Sequence, residues 1–88
     1  MKSGIELITQ ERQEQIEKHG YTVAQDKKIN KEFDLCNAAI AVINGTVNRL
    51  PSHWAPTSQM EHMCNKDYKE RLIIAGALLA AEIDRIQA

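Results

Sequence analysis

Residues 68–86 read YKERLIIAGALLAAEIDRI, and the reading of this stretch decides the fold. Tyr68, Leu72, Ala75, Leu79, Ile83 and Ile86 recur at steps of four and three, the spacing that sets them on one face of an amphipathic helix. A second row, Ile74, Leu78 and Ala81, widens the apolar arc, so this helix is expected to be central and touched on two sides. Gly76 and the alanines at 75, 77, 80 and 81 keep its middle thin. Gly in a helix interior costs roughly 1 kcal/mol relative to Ala. Close approach of a neighbouring helix is the expected compensation.

Upstream, Ser3-Gly4-Ile5-Glu6 fits a capping box, in which a Ser hydroxyl and a Glu three residues on each satisfy an orphan amide. It predicts a first helix over 4–18, closed by Gly20 in a left-handed position. Ile5, Ile8 and Ile16 share a side interrupted by Arg12, so this helix is expected to bury its ends and keep a polar centre, TQERQEQ, that is either solvated or turns Glu11, Arg12, Glu14 and Gln15 toward a ligand or a subunit partner. Residues 21–29 read as irregular, with Tyr21 and Val23 turned inward and Asp26, Lys27 and Lys28 outward. Asn30 is expected to cap a second helix over 31–44 with the stripe Phe33, Cys36, Ile40, Ile43, widened by Leu35, Ala39 and Val42 and ended by Asn44-Gly45. Residues 46–64 read as an irregular loop, because Leu50-Pro51 and Ala55-Pro56 break helix, with a short helical turn near 58–63 capped by Thr57 or Ser58. Asn65 is expected to cap the last helix, over 66–87. The expectation is one all-α domain over 1–88, a bundle of three helices, or four with the short turn.

Composition bounds the function. Eighty-eight residues make one small domain, and so wide an apolar helix on so short a chain predicts a homo-oligomer. A formal net charge of −1 excludes a broad electrostatic footprint for nucleic acid or anionic membrane. The run 72–81 is about half a membrane span, and no apolar leader opens the chain. Cys36 and Cys64 lack framework spacing and read as free thiols of a reducing cytosol, so a cytoplasmic location is expected.

Among chemistry-bearing residues, His53, His62 and Cys64 match no zinc spacing, and Cys64 beside His62 is no nucleophile–base arrangement by sequence alone. Glu11 and Glu14 share a helical face, and Glu82 sits above Ala75, Leu78 and Leu79. These three carboxylates are the magnesium ligands to expect if the protein is an enzyme, although the second helix adds only Asp34 and Asn37. Arg12, Gln15, Tyr21, Lys27, Lys28, His53 and Trp54 are polar, cationic and aromatic groups for which a helical core has no use. Arginine beside an aromatic ring suits a phosphorylated base, and they form the expected ligand-binding surface.

The motifs Glu11-Arg12-Gln13, Gln15-Ile16-Glu17, Gly20, Thr22 and Asp26, with Lys66, Asp67, Arg71, Leu72, Ala75-Gly76-Ala77-Leu78 and Ala80-Ala81-Glu82-Ile83-Asp84-Arg85, resemble a family of small phage and prophage proteins. That resemblance covers the first and last quarters of the chain and implies phage origin rather than an activity. More distantly, Glu11-Arg12-Gln13-Glu14 is similar to the first ExxE pair of the all-α, MazG-like nucleotide pyrophosphohydrolases, which hold magnesium. The last helix departs from that pattern with Glu82-Ile83-Asp84, the second lacks any ExxE, and the middle loop has only Trp54 where the phage family shows a Trp-Pro-Trp cluster. The combined expectation is a phage-derived helical protein that binds a nucleotide or nucleotide-derived host signal without catalysis, a counter-defence sponge, needing no cofactor. A magnesium-dependent pyrophosphohydrolase and a protein-binding inhibitor of a host factor are the alternatives.

Overall fold

A computed structural model describes residues 1–19, 22–30, 32–46, 49–51, 53–54 and 58–88, with the backbone alone for His19 and residues 58–60. All regular structure among them is helical: α1 (Gly4–His19), α2 (Val23–Ile29), α3 (Asp34–Asn44), α4 (Ser58–Asn65) and α5 (Tyr68–Gln87). The Cα radius of gyration, 12.1 Å, matches the ~12 Å of a compact chain of this length. No described helix is long and apolar enough to cross a membrane. The last helix is central, since α5 packs against all four others and most extensively against α3 and α1.

Five helices replace the expected three or four. Residues 23–29 are helical rather than irregular because the Thr22 hydroxyl caps them, accepting from the Gln25 amide at 3.2 Å. Asn30 therefore closes α2, its amide donating to the Asp26 carbonyl, instead of opening the next helix. Phe33 stands at the start of α3 without a side-chain cap bond. The short helical turn expected near 58–63 is present as α4 and runs on to Asn65. For α5 the cap is Asp67 rather than Asn65, its carboxylate accepting from the Glu70 amide at 2.9 Å. The capping box at Ser3 and Glu6 forms in both directions at 3.2 Å. The Gly45 cap forms too, in the left-handed region at φ 68°, with Arg71 Nη1 donating to the Ile43 carbonyl at the same helix end. Gly20, Tyr21 and Thr57 lie outside the described residues.

The core differs from the expected stripes in which row is buried. On α3 it is Leu35, Ala38, Ala39, Ala41 and Val42, while Phe33 and Ile40 of the expected stripe are exposed. On α5 it is Ile73, Ile74, Ala75, Ala77, Leu78 and Ala81, of which Ile74, Ala75, Leu78 and Ala81 form one cluster with the α3 row, Leu50 and Cys64. The reason is which faces meet: the α3 row packs against Ile74, Ala75, Leu78 and Ala81 of α5, and Leu35 and Leu78 are the largest side chains that this seam encloses. The row Tyr68, Leu72, Leu79, Ile83 and Ile86 is left in water.

Helix α1 departs from its expectation in part. Ile5 and Ile16 are exposed, and two residues of the polar centre, Arg12 and Gln15, are only 8 % and 2 % exposed, while Thr9, Gln10 and Gln13 face water. Its crossing point on α5 is Gly76, where an added Cβ would come 2.7 Å from Ile8 Cδ1. The close approach that the glycine implied is thus made by an isoleucine of α1.

Candidate functional site

Three polar places stand out. The first is a buried seam between α1, α2 and α5. Arg12 reaches Asp84 at 3.5 Å, and Arg85 pairs with Glu82 at 2.6 Å while donating to the Glu32 carbonyl at 2.9 Å. Asp26, expected outside, is 1 % exposed. Its Oδ1 accepts from Asn30 Nδ2 at 2.8 Å, and among the described residues its Oδ2 lacks a hydrogen-bond partner, as does Gln15 Oε1. Burial pushes the Asp26 carboxyl above its usual range, against the pull of the Asn30 bond and the Arg12 charge. Asn30 then ties the middle loop to this seam: its Oδ1 accepts from Trp54 Nε1 at 2.7 Å and lies 3.0 Å from His53 Nε2. His53 is also 3.8 Å from Asp34.

Of the expected ligand residues, Arg12, His53 and Trp54 are linked through Asp26 and Asn30, and the others stand apart. Trp54 and His53 meet at Asn30, Arg12 and Gln15 lie inside, and the side chains of Lys27 and Lys28 are exposed on α2. Tyr21 falls outside the described residues.

The second place is a small hollow of about 160 Å³ lined by Glu11, Glu14 and Glu70 with Leu7, Gln10 and Ile73. Partial burial, then the neighbouring Glu14 and Glu70 charges, raise the Glu11 carboxyl, while the Gln15 bond and Lys66 oppose the shift. Glu82 is engaged by Arg85 and does not line this hollow. Among the described residues no group of three or more His, Cys, Asp and Glu side chains is placed to hold a metal ion, so Glu11, Glu14 and Glu82 do not fit a shared magnesium.

The third place is a hollow of about 530 Å³ between α3 and the segment that follows it, lined by Asn37, Ile40, Ala41, Asn44, Thr46, Arg49 and Pro51. Its volume falls within the ~300–1,000 Å³ of small-molecule sites. Asn37, Ile40, Ala41 and Asn44 stand at i, i+3, i+4 and i+7, one face of α3. The Gly45 cap turns the chain so that Thr46 and Arg49 return alongside that face. The described lining thus holds one guanidinium, two carboxamides, a hydroxyl and an aliphatic floor, with no carboxylate. A guanidinium grips phosphate or carboxylate oxygens bidentately, and a carboxamide presents the donor–acceptor pair that matches a base edge.

None of these lining residues was expected at the site. The signal for them was slender: Asn37 and Asn44 on the polar side of the helix, and Arg49 as the only Lys or Arg between Lys31 and Lys66. No family model, no curated protein and no solved structure matches this chain.

Proposed function

We propose that this protein binds a nucleotide or nucleotide-derived small molecule without altering it, and that the ligand sits in the α3 hollow. The observation that carries the reading is the hollow's lining, a guanidinium and two carboxamides above an aliphatic floor without a carboxylate. Phosphate oxygens take Arg49, a base edge takes Asn37 or Asn44, and the base face rests on Ile40 and Pro51. Hydrolysis is disfavoured because Glu11, Glu14 and Glu82 do not converge. The counter-defence role rests on the phage resemblance of the two terminal helices. The same proposal includes a homo-oligomer, supported by the eleven large apolar side chains exposed among the described residues.

The test is a thermal-shift panel of linear and cyclic nucleotides, with and without magnesium. A ligand at a hundred times its dissociation constant adds about 2.7 kcal/mol of stability. Arg49→Ala and Asn37→Ala, both on exposed side chains, should leave the melting temperature without ligand unchanged and abolish the shift. No shift with any nucleotide, or a shift that both variants retain, overturns the site. Magnesium-dependent pyrophosphate release would replace binding with the enzyme reading.

A further inference from the structure

The outer row of α5 is the largest feature that neither the core nor the hollow uses. Tyr68, Leu72, Leu79, Ile83 and Ile86 are 41–67 % exposed, although they share one face of the most central helix. At ~100° per residue they fall within about 60° of one another, along about 27 Å of helix. No charged side chain interrupts them: Lys69, Glu70, Arg71, Glu82, Asp84 and Arg85 all stand off this arc. At its amino-terminal end the row continues into an apolar hollow of about 310 Å³, where Leu72 meets Ile8, Leu7 and Met1.

We infer that this row pairs with the same row of a second copy, antiparallel, about a two-fold axis at Ala75-Gly76. Two observations select a second copy. One is self-complementarity: a two-fold interface requires that where residue i meets j, j meets i. Four of the five residues mirror about position 75.5, Tyr68 and Leu72 on one side against Ile83 and Leu79 on the other, and Ile86 lies beyond the symmetric part. Leu72 of one copy then meets Leu79 of the other, and Tyr68 meets Ile83. The other observation is area. The five side chains leave roughly 500 Å² of apolar surface in water. A stable interface takes about 800 Å² per partner, of which about 60 % is apolar, so the row supplies what one such interface needs. The pairing deepens the homo-oligomer reading and is independent of the ligand.

The experiment is multi-angle light scattering of the full chain from micromolar to submillimolar concentration, with far-UV circular dichroism as the check on folding. The wild type should show twice its 10.0 kDa chain mass. Leu79→Glu, at an exposed position, should halve that mass and keep the helical signal. Leu72→Lys combined with Leu79→Glu should restore the dimer, since antiparallel pairing sets each Lys against a Glu of the other copy. A wild-type monomer throughout the range overturns the homo-oligomer itself. A wild-type oligomer that Leu79→Glu leaves intact overturns this surface. Loss of the dimer in Leu79→Glu without rescue in the double variant overturns the antiparallel register.

Discussion

Gly76→Ala isolates the contact that seats α1. In a helix interior the change should stabilise by about 1 kcal/mol, because Ala restricts the unfolded chain and suits the helix. Here the new methyl would stand 2.7 Å from Ile8 Cδ1 and 3.0 Å from Ile8 Cγ1, distances at which Ile8 must move. Overpacking of this kind costs about 1–3 kcal/mol. Ile8 is only half-buried and its tip can yield, so the lower part of that range applies. The expected net effect is no gain, or a loss of up to about 1 kcal/mol, worth a fall of about 4–8 °C in melting temperature per kcal/mol at this chain length. Ile8→Ala removes the obstructing atoms. In that background Gly76→Ala should recover its full stabilisation, giving a coupling of about 1–2 kcal/mol. Urea denaturation of the four proteins followed by circular dichroism measures the cycle, and running it on Leu79→Glu keeps association out of the result. A gain of the full ~1 kcal/mol from Gly76→Ala alone, with no coupling to Ile8, would falsify the placement of α1 on Gly76.

The buried seam gives three more expectations. Asp26 has a folded-state pKa above its unfolded value, so between the two values the native state binds more protons than the unfolded chain, and the contribution is full below the unfolded value and lost as pH rises through the raised one. Asp26→Asn keeps the acceptor for Asn30 without the charge; it should melt higher than wild type at neutral pH, with the difference vanishing below about pH 4. Equal melting temperatures at both pH values would contradict the buried carboxylate. Asn30→Ala removes the acceptor for Trp54 Nε1 and the donor to Asp26 and should cost about 1–3 kcal/mol in urea titration, with a red shift of Trp54 fluorescence in the folded state. An unshifted spectrum would mean that Asn30 does not hold the loop. Glu32 is the one described non-glycine residue at positive φ, 57°. Glu32→Gly relieves that conformation and should be neutral or stabilising by up to about 1 kcal/mol by thermal denaturation, whereas a clear loss would show that the Glu32 side chain matters.

The helical class and the centrality of the last helix were legible because the periodicity of residues 68–86 is long and leaves no strand alternative. Which row would be buried was not. Two apolar rows on α5 satisfy the same periodicity, and the choice depends on the face, Leu35 to Val42, that α3 brings opposite, a property of the pair. The inward turn of Arg12 and Gln15 was hidden for a related reason. Those residues belong to surfaces by type, and it is the assembled Asp26 and Asp84 that give Arg12 a polar place inside, while Gln15 bonds Glu11 on its own helix. The α2 cap at Thr22 could have been found, since a hydroxyl before VAQD is a start signal in its own right. The hollow at Asn37, Asn44 and Arg49 could not, because it is created by the return of the chain after Gly45 and has no local motif.

Binding without alteration in the α3 hollow is tested most directly by equilibrium dialysis of wild type and Arg49→Ala against the nucleotide that gives the largest thermal shift. Magnesium is included, and the retained ligand is identified by mass spectrometry. The account predicts saturable retention of unchanged ligand by the wild type and none by Arg49→Ala. Recovery of hydrolysed ligand, or equal retention by the two proteins, would contradict it.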